Sequence, residues 1–542
     1  MAGGDEPVNS RPTPGVLLPG AGAALALALL VGGALIGLLL APEGAAAGRP
    51  WVDGYVLAVL RFTVWQALLS ALLSVGLAVP VARALARRRR FAGRALLLRL
   101  LGLPMVVPTI VGVLGIVAIY GRSGLLNEGL GALGVAARLD VYGLSGILIA
   151  HVFFNMPFAT RLLVQAWAGI PAESWRLASQ LGMSGGQVFR LIEAPMLRQT
   201  APGIAGLVFL LCFTSFSVVL VLGGGPPNAT LEVAIYQALR FDFDVARVVV
   251  LATLQVAVCA VLVGAAGRLA RPMPVDQTLA PPVERHDLAG VWSRALDAVA
   301  IAAAMAILAL PLAAVAAAGL AGPVAAVLAD GELWRAALRS LTVGLSAGLL
   351  AVALGWGLVS TSRELRARYY RRGAADRLEL AGSLVLVVPP FVVGAGLFVL
   401  LRPVADVFAI GLILVVLVNA LMGLPFVIRI LGPPAAQVAE RHLRLCDSLG
   451  IAGWHRLRLV DWPLLRRPAA LALAVCSALA MGDLGVIALF GTPDTRTLPL
   501  LLYHRMGSYR MDEAAVTALV LLVLSLLLFV AIERGLGGDA DD

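Results

Sequence analysis

The chain has 542 residues, 60% of them apolar and 14% charged, with a formal net charge of +10 and a mean hydropathy of +0.92. A soluble domain of this size carries more charge, about 25% in an average composition, so a water-soluble globular protein is excluded. All 42 basic residues are arginine and lie between apolar runs, which speaks for orientation in a bilayer and against nucleic acid as a partner.

The first residues, 1–15, are polar and contain Pro12 and Pro14, and read as a loose tail. The run 16–41 lacks a strongly basic start and is too long for the apolar core of a signal peptide, so it is expected to be a retained first span. A second span is expected at 56–82, followed by the basic stretch Arg83 to Arg90 and Arg94. A third, at 96–119, contains Pro104 and Pro108, which free backbone carbonyls and kink a helix. A glycine-rich loop at 121–142 precedes a fourth span at 142–166 that carries His151 and Asn155.

Next comes a polar, basic island, 168–200. A fifth span is expected at 203–222, a turn at 223–228, a short interfacial helix at 231–240 and a sixth span at 245–269. Residues 271–293 hold several prolines and charges and read as a linker. The pattern then restarts, with spans at 295–320, 336–361, 378–401 and 407–430, a second island at 432–467, spans at 469–490 and 514–532, and a polar tail at 535–542.

These runs predict an all-α integral membrane protein of about twelve transmembrane helices, each near the 20 residues needed to cross the hydrocarbon core. With the N-terminus inside, the arginine-rich segments 83–94, 271–293, 363–377 and both islands fall in the cytoplasm, and the loops at 121–142, 223–244, 321–335 and 491–512 fall outside. Both termini are then cytoplasmic. The cysteines, Cys212, Cys259, Cys446 and Cys476, have no metal-ligand spacing and read as small apolar residues. No cofactor or metal is expected.

The two halves, 16–270 and 294–534, are one unit repeated. Pro157-Phe158 matches Pro425-Phe426 at an offset of 268 (425 − 157). The same offset pairs Arg161 with Arg429, Arg176 with Arg444, Gly182 with Gly450, Glu193 with Asp461, Pro195 with Pro463 and Gly223 with Gly491. Both islands lie on one side, so the duplication is parallel and a pathway between the halves is expected.

The islands resemble the cytoplasmic loop of ATP-binding-cassette importer permeases. Arg176-Leu177-Ala178, Gly182 and the Ile192–Pro195 ending fit its frame, as do Arg444-Leu445-Cys446, Gly450 and Val460–Pro463. Both copies carry arginine where that loop has glutamate, which puts in doubt any contact made through the carboxylate. Further segments, among them Arg61–Ser70, His151–Pro157, Glu232–Leu239, Ala488–Gly491 and Gly507–Tyr509, are similar to the fused thiamine importer permeases of Gram-negative bacteria. The likeness covers nearly the whole chain after the N-terminal tail. It implies a type I importer permease fold in the bacterial inner membrane. It also implies transport of thiamine and its phosphate esters with a periplasmic binding protein and a cytoplasmic ATPase homodimer. Fused ferric-iron permeases share the loop frame and remain the alternative substrate class.

No Walker motif or phosphate-binding glycine loop occurs, so ATP chemistry belongs to a partner and the chain is not itself an enzyme. Each island is expected to seat a short helix, ended by Gly182 or Gly450, in a groove on an ATPase subunit. For the pathway, the candidate is Asp483, an ionisable residue inside an apolar run, with Ser215 at the matching position. The competing reading has it capping or bracing helices. Asn155 and Asn419 are further pathway candidates, with bonds across helices as the competing reading, and Phe213 and Phe216 are candidates for stacking on an aromatic substrate. An ion-coupled secondary transporter would need paired intramembrane carboxylates or interrupted helices in both halves. A membrane redox enzyme would need histidine pairs, and five scattered histidines do not supply them.

Overall fold

The computed structural model describes residues 14–40, 53–88, 90–135, 140–269, 290–383 and 387–537. The expected tails at 1–15 and 535–542 and the linker at 271–293 lie mostly outside these residues. Every regular element described is a helix, as lipid demands: each backbone N–H and C=O must be bonded within its own segment.

The first half contains α1 (Pro14–Leu39), α2 (Gly54–Arg87), α3 (Arg94–Leu100), α4 (Thr109–Tyr120), α5 (Leu125–Ala132), α6 (Leu144–Ala168), α7 (Ala172–Gln180), α8 (Ala194–Phe213), α9 (Ser217–Leu222), α10 (Leu231–Arg240) and α11 (Val245–Leu269). The second contains α12 (Val291–Ala321), α13 (Val324–Ala329), α14 (Gly331–Ala367), α15 (Arg372–Ser383), α16 (Pro390–Leu401), α17 (Gly411–Ser448), α18 (Trp462–Met481), α19 (Gly485–Phe490), α20 (Leu498–Gly507) and α21 (Met511–Gly537).

Among the described residues, 11 helical stretches are long and apolar enough to cross a bilayer, and α16 is a shorter apolar helix. Two of the expected spans are broken at prolines. The run at 96–119 divides into α3, a tight turn at Leu103–Met105 and α4. The run at 378–401 divides into α15 and α16. A proline stands at each break: Pro108 and Pro389 are extended just before α4 and α16, and neither can donate the bond that would carry the preceding helix through. These prolines match at an offset of 281 (389 − 108), so the repeat extends beyond the islands. The extra residues of the first half lie around α5.

The halves exchange their first helices. Helix α1 packs on α14 and α16 of the second half, and α12 packs on α2 and α4 of the first. Both crossings need glycine. A Cβ on Gly115 of α4 would lie 2.4 Å from the carbonyl oxygen of Pro311, and one on Gly396 of α16 would lie 2.2 Å from that of Ala34. Such close approach is how helices associate in lipid, where apolar contact alone gives no advantage over the acyl chains. The Thr361 hydroxyl fixes the α1 crossing, accepting from Gly20 N at 3.0 Å and donating to Val16 O at 2.8 Å.

A polar detail repeats as well. The first N–H of α10, from Leu231, reaches Thr63 Oγ1 on α2 at 3.1 Å. The first N–H of α20, from Leu498, reaches Ser340 Oγ on α14 at 2.8 Å. Each hydroxyl satisfies a helix-end donor that lipid would leave orphaned. The stretch at 231–240, expected at the interface, is thus docked inward: Leu231, Glu232, Val233, Ala234 and Ile235 are all buried.

Candidate functional site

The expected spans at 203–222 and 469–490 are both interrupted, at matched positions. Helix α8 stops at Phe213 and α9 begins at Ser217; α18 stops at Met481 and α19 begins at Gly485. Ser215 lies in the first break and Asp483 in the second. Non-helical backbone at this depth is tolerated where protein or a cavity surrounds it, and helix breaks facing a cavity are a common way to build a transport site.

A cavity of about 280 Å³ lies between the halves against both breaks. Asp483, Ser215, Asn155 and Phe216 line it, so four of the six pathway candidates are brought together. Asn419 stands behind Asp483 and donates to its Oδ2 at 3.3 Å. Phe213 is fully buried, stacked on Phe209 with ring centroids 5.9 Å apart, and does not border the cavity. Asp483 also caps α19: Oδ1 accepts from Gly485 N and Oδ2 from Val486 N, each at 3.0 Å. The capping role and the cavity-facing position therefore coexist in one side chain.

Of the lining residues that were not sequence candidates for substrate contact, Glu232, His151 and Phe391 bear most on a ligand. Glu232, 1% exposed, accepts from Gln255 Nε2 at 3.1 Å and borders the cavity. His151 shares a hydrogen bond with Ser70 through Nδ1 at 2.8 Å, and its buried Nε2 has no partner among the described residues. Phe391 lies 4.2 Å from Phe216, centroid to centroid, so one ring from each half forms an aromatic wall. The signal for Glu232 was an acid embedded in the apolar run Leu231–Tyr236; reading that run as interfacial hid it. The site thus offers two carboxylates, an imidazole nitrogen, an amide and aromatic faces. It can hold a small cationic, aromatic molecule.

Each island ends its helix in the same turn. Gly182 and Gly450 have φ of +60° and +66°. Met183 N bonds Ala178 O at 3.0 Å and Ile451 N bonds Cys446 O at 2.8 Å, the long-range bond of a glycine-terminated helix end. Leu177 and Leu445 are 54% and 55% exposed, and Leu181 and Leu449 both 62%. Ala178 and Cys446 face inward and are buried. Arg176, Arg444, Pro195 and Pro463 are exposed. Two equal pairs of leucines therefore stand out on equal turns.

A family model described as a binding-protein-dependent transport system inner membrane component matches residues 74–273. The thiamine transport system permease protein of Brucella abortus is 47% identical over 518 residues, 95% of this chain and 94% of its own length. That of Escherichia coli is 46% identical over 484 residues, 89% and 90%, and that of Haemophilus influenzae 38% over 526 residues, 95% of each. The chain belongs to the thiamine transport system permease family. It is a multi-pass inner-membrane component of a binding-protein-dependent transport system.

In this permease the islands return to the membrane through matched π-helical turns, Phe189–Glu193 and Leu457–Asp461. Pro195 and Pro463 follow in the first turns of α8 and α18. Each proline leaves the carbonyl four residues back without its donor and crowds it, and the wider turn takes up the misfit. The acid ending each turn is buried and paired. Glu193 accepts from Arg83 Nε at 2.7 Å and Trp167 Nε1 at 3.2 Å. Asp461 accepts from Arg363 Nη1 at 2.8 Å. Both islands are thereby tied to the ends of α2 and α14, which run beside the cavity-forming helices.

Proposed function

We propose that this permease carries thiamine and its phosphate esters from periplasm to cytoplasm by alternating access. In this reading a homodimeric cytoplasmic ATPase drives it and a periplasmic binding protein delivers the substrate. The observation that supports this most is the cavity at the matched helix breaks. Asp483 and Glu232 face a wall of Phe216 and Phe391, a setting suited to a thiazolium cation and an aminopyrimidine ring. For the esters, the anionic tail must point away from the two acids. The kinship with thiamine transport permeases favours thiamine over ferric iron, and aromatic walls serve an organic ring better than a metal ion.

The islands are the coupling elements. Leu177 and Leu445, with Gly182 and Gly450 behind them, seat in the two ATPase subunits, and Arg176 and Arg444 contact their rims. Closure of the ATPases on ATP draws the seated turns together. The Arg83–Glu193 and Arg363–Asp461 pairs pass that motion to α2 and α14, and the halves rock about the cavity. The arginine asymmetry supports a cytoplasmic position for the islands and both termini.

The test is ATPase activity of the assembled complex with binding protein loaded with thiamine, thiamine diphosphate or ferric ion. Stimulation by the first two and not by iron is expected. Stimulation by iron alone overturns the substrate, and uptake that persists without the ATPase overturns the class.

A further inference from the structure

A second cavity, of about 590 Å³, lies away from the pathway, between α14 and the segment that leads from the second island into α18. Its size is within the range of roughly 300–1,000 Å³ typical of small-molecule sites. Its wall starts with Leu349 and Val352 on α14, passes Trp356, and ends among Trp454, Arg458 and Trp462. Seven residues of helix separate Leu349 from Trp356, about 10 Å of rise. The groove is therefore apolar at one end and carries tryptophans and a cation at the other, the order of environments met from acyl chains to headgroups.

The charge at the mouth is unbalanced. Asp461 also borders the groove, but it is paired with Arg363, whose guanidinium lies 5.0 Å from the Trp356 ring centroid. Arg456 is held by Glu364 at 2.7 Å. Arg458 is exposed and makes no ion pair among the described residues. The feature belongs to one half alone. At the offset of 268, Arg458 matches Arg190, but Trp454 and Trp462 match Gly186 and Ala194. At the spacing that matches Arg363 with Arg83, Trp356 falls on Gly76.

We propose that this groove binds an anionic phospholipid of the inner leaflet, its phosphate against Arg458 and an acyl chain along Trp356 and Leu349. A basic pocket between spans at the cytoplasmic side is the setting in which anionic headgroups are held. The leaflet rests on the cytoplasmic placement of the islands; lipid binding itself does not, and its test does not involve uptake.

The full-length chain, delipidated in detergent, is titrated with phosphatidylglycerol and with phosphatidylethanolamine, and bound lipid is counted by native mass spectrometry. The wild type should bind phosphatidylglycerol more tightly. Arg458→Gln should weaken that binding roughly fivefold, the size expected of one arginine at an anionic surface, and weaken binding of phosphatidylethanolamine, whose ammonium offsets its phosphate, by less. Arg190→Gln, the matched arginine without the groove, should change neither. Trp462→Ala should weaken both lipids, with unchanged elution and melting as the folding control. Equal effects of Arg458→Gln and Arg190→Gln, no preference between the lipids, or no effect of Trp462→Ala would each overturn the site.

Discussion

The two halves present the same glycine-ended turn on different mountings. In the first, α7 has 9 residues and is cut from α6 at Gly169-Ile170-Pro171. In the second, the equivalent helix is the end of α17, unbroken over 38 residues. The matched residues explain it: Gly169 and Pro171 fall on Gln437 and Ala439, which allow the helix to continue. Among the described residues, the second turn is tied by Arg363–Asp461, Arg456–Glu364 and Arg368–Asp447. The first has Arg83–Glu193 supported by Trp167. One turn sits on a hinge and the other on a lever. Duplication kept the shape of the turn and let its connection to the preceding span diverge.

If the turns are equivalent at the partner, removing both should have the largest effect. A Cβ on Gly182 or Gly450 would meet nothing within 4 Å, so a valine costs on the order of 1 kcal/mol in backbone strain and no packing. The double variant Gly182→Val, Gly450→Val should insert and express normally and lose uptake, with the ATPase no longer co-purifying or no longer coupled. Wild-type uptake would remove these turns from the coupling path. Unequal single variants would show that the mountings matter at the contact itself.

The ties should differ in the membrane. Arg363→Met leaves buried Asp461 with Arg456 Nε at 3.9 Å as its remaining ion-pair contact among the described residues, a loss of about 3–5 kcal/mol. Arg83→Met leaves Glu193 its bond from Trp167, and the loss should be roughly half as large. Thermal unfolding of the two purified variants compares them. Equal destabilisation would mean that the network of the second half adds nothing.

In the cavity the halves contribute one acid each, at unmatched places: Glu232 from the first and Asp483 from the second. Asp483→Asn can keep part of the α19 cap while removing the charge. Thiamine uptake should fall about tenfold, some 1.4 kcal/mol, with expression reduced less. Glu232→Gln keeps the bond with Gln255 and should fall less if Asp483 meets the cation. Unchanged uptake for Asp483→Asn at normal expression returns that residue to a purely structural role.

The repeat, the island frames and the isolated acid Asp483 were legible because each is a local departure from an apolar background, and spacing carries over distance. The helix breaks were only half legible. Pro104 and Pro108 announce a kink, but nothing in the sequence tells a kinked helix from one that stops and restarts. The interruption at Asp483 is capped by that carboxylate, which accepts from Gly485 N and Val486 N, but the matched break at Ser215 forms without an acid. Glu232 was hidden by its short helix, since ten amphipathic residues do not say whether they lie on a membrane or fold into it, and the bond from Leu231 N to Thr63 on α2 is not written locally. The exchange of α1 and α12 was not legible at all: glycines such as Gly115 and Gly396 mark a close crossing without naming the helix that crosses.

The smallest expected effect tests the hinge. Replacing Gly169 with Gln and Pro171 with Ala gives the first half the residues of the second. Relative to alanine in a helix interior, glycine costs about 1 kcal/mol and proline about 3, so the change favours one continuous helix from α6 into α7. Stability should stay the same or rise slightly, because both positions lie outside the bilayer-spanning core. ATPase binding should survive, since Leu177, Leu181 and Gly182 are untouched. A turn that can no longer pivot must instead carry α6 with it when the ATPases close. Uptake per ATP hydrolysed should then fall by roughly threefold, less than 1 kcal/mol. Simultaneous measurement of hydrolysis and uptake in vesicles reads this ratio. If it does not move, the break at Gly169–Pro171 is a tolerated difference, and the two mountings deliver the same stroke.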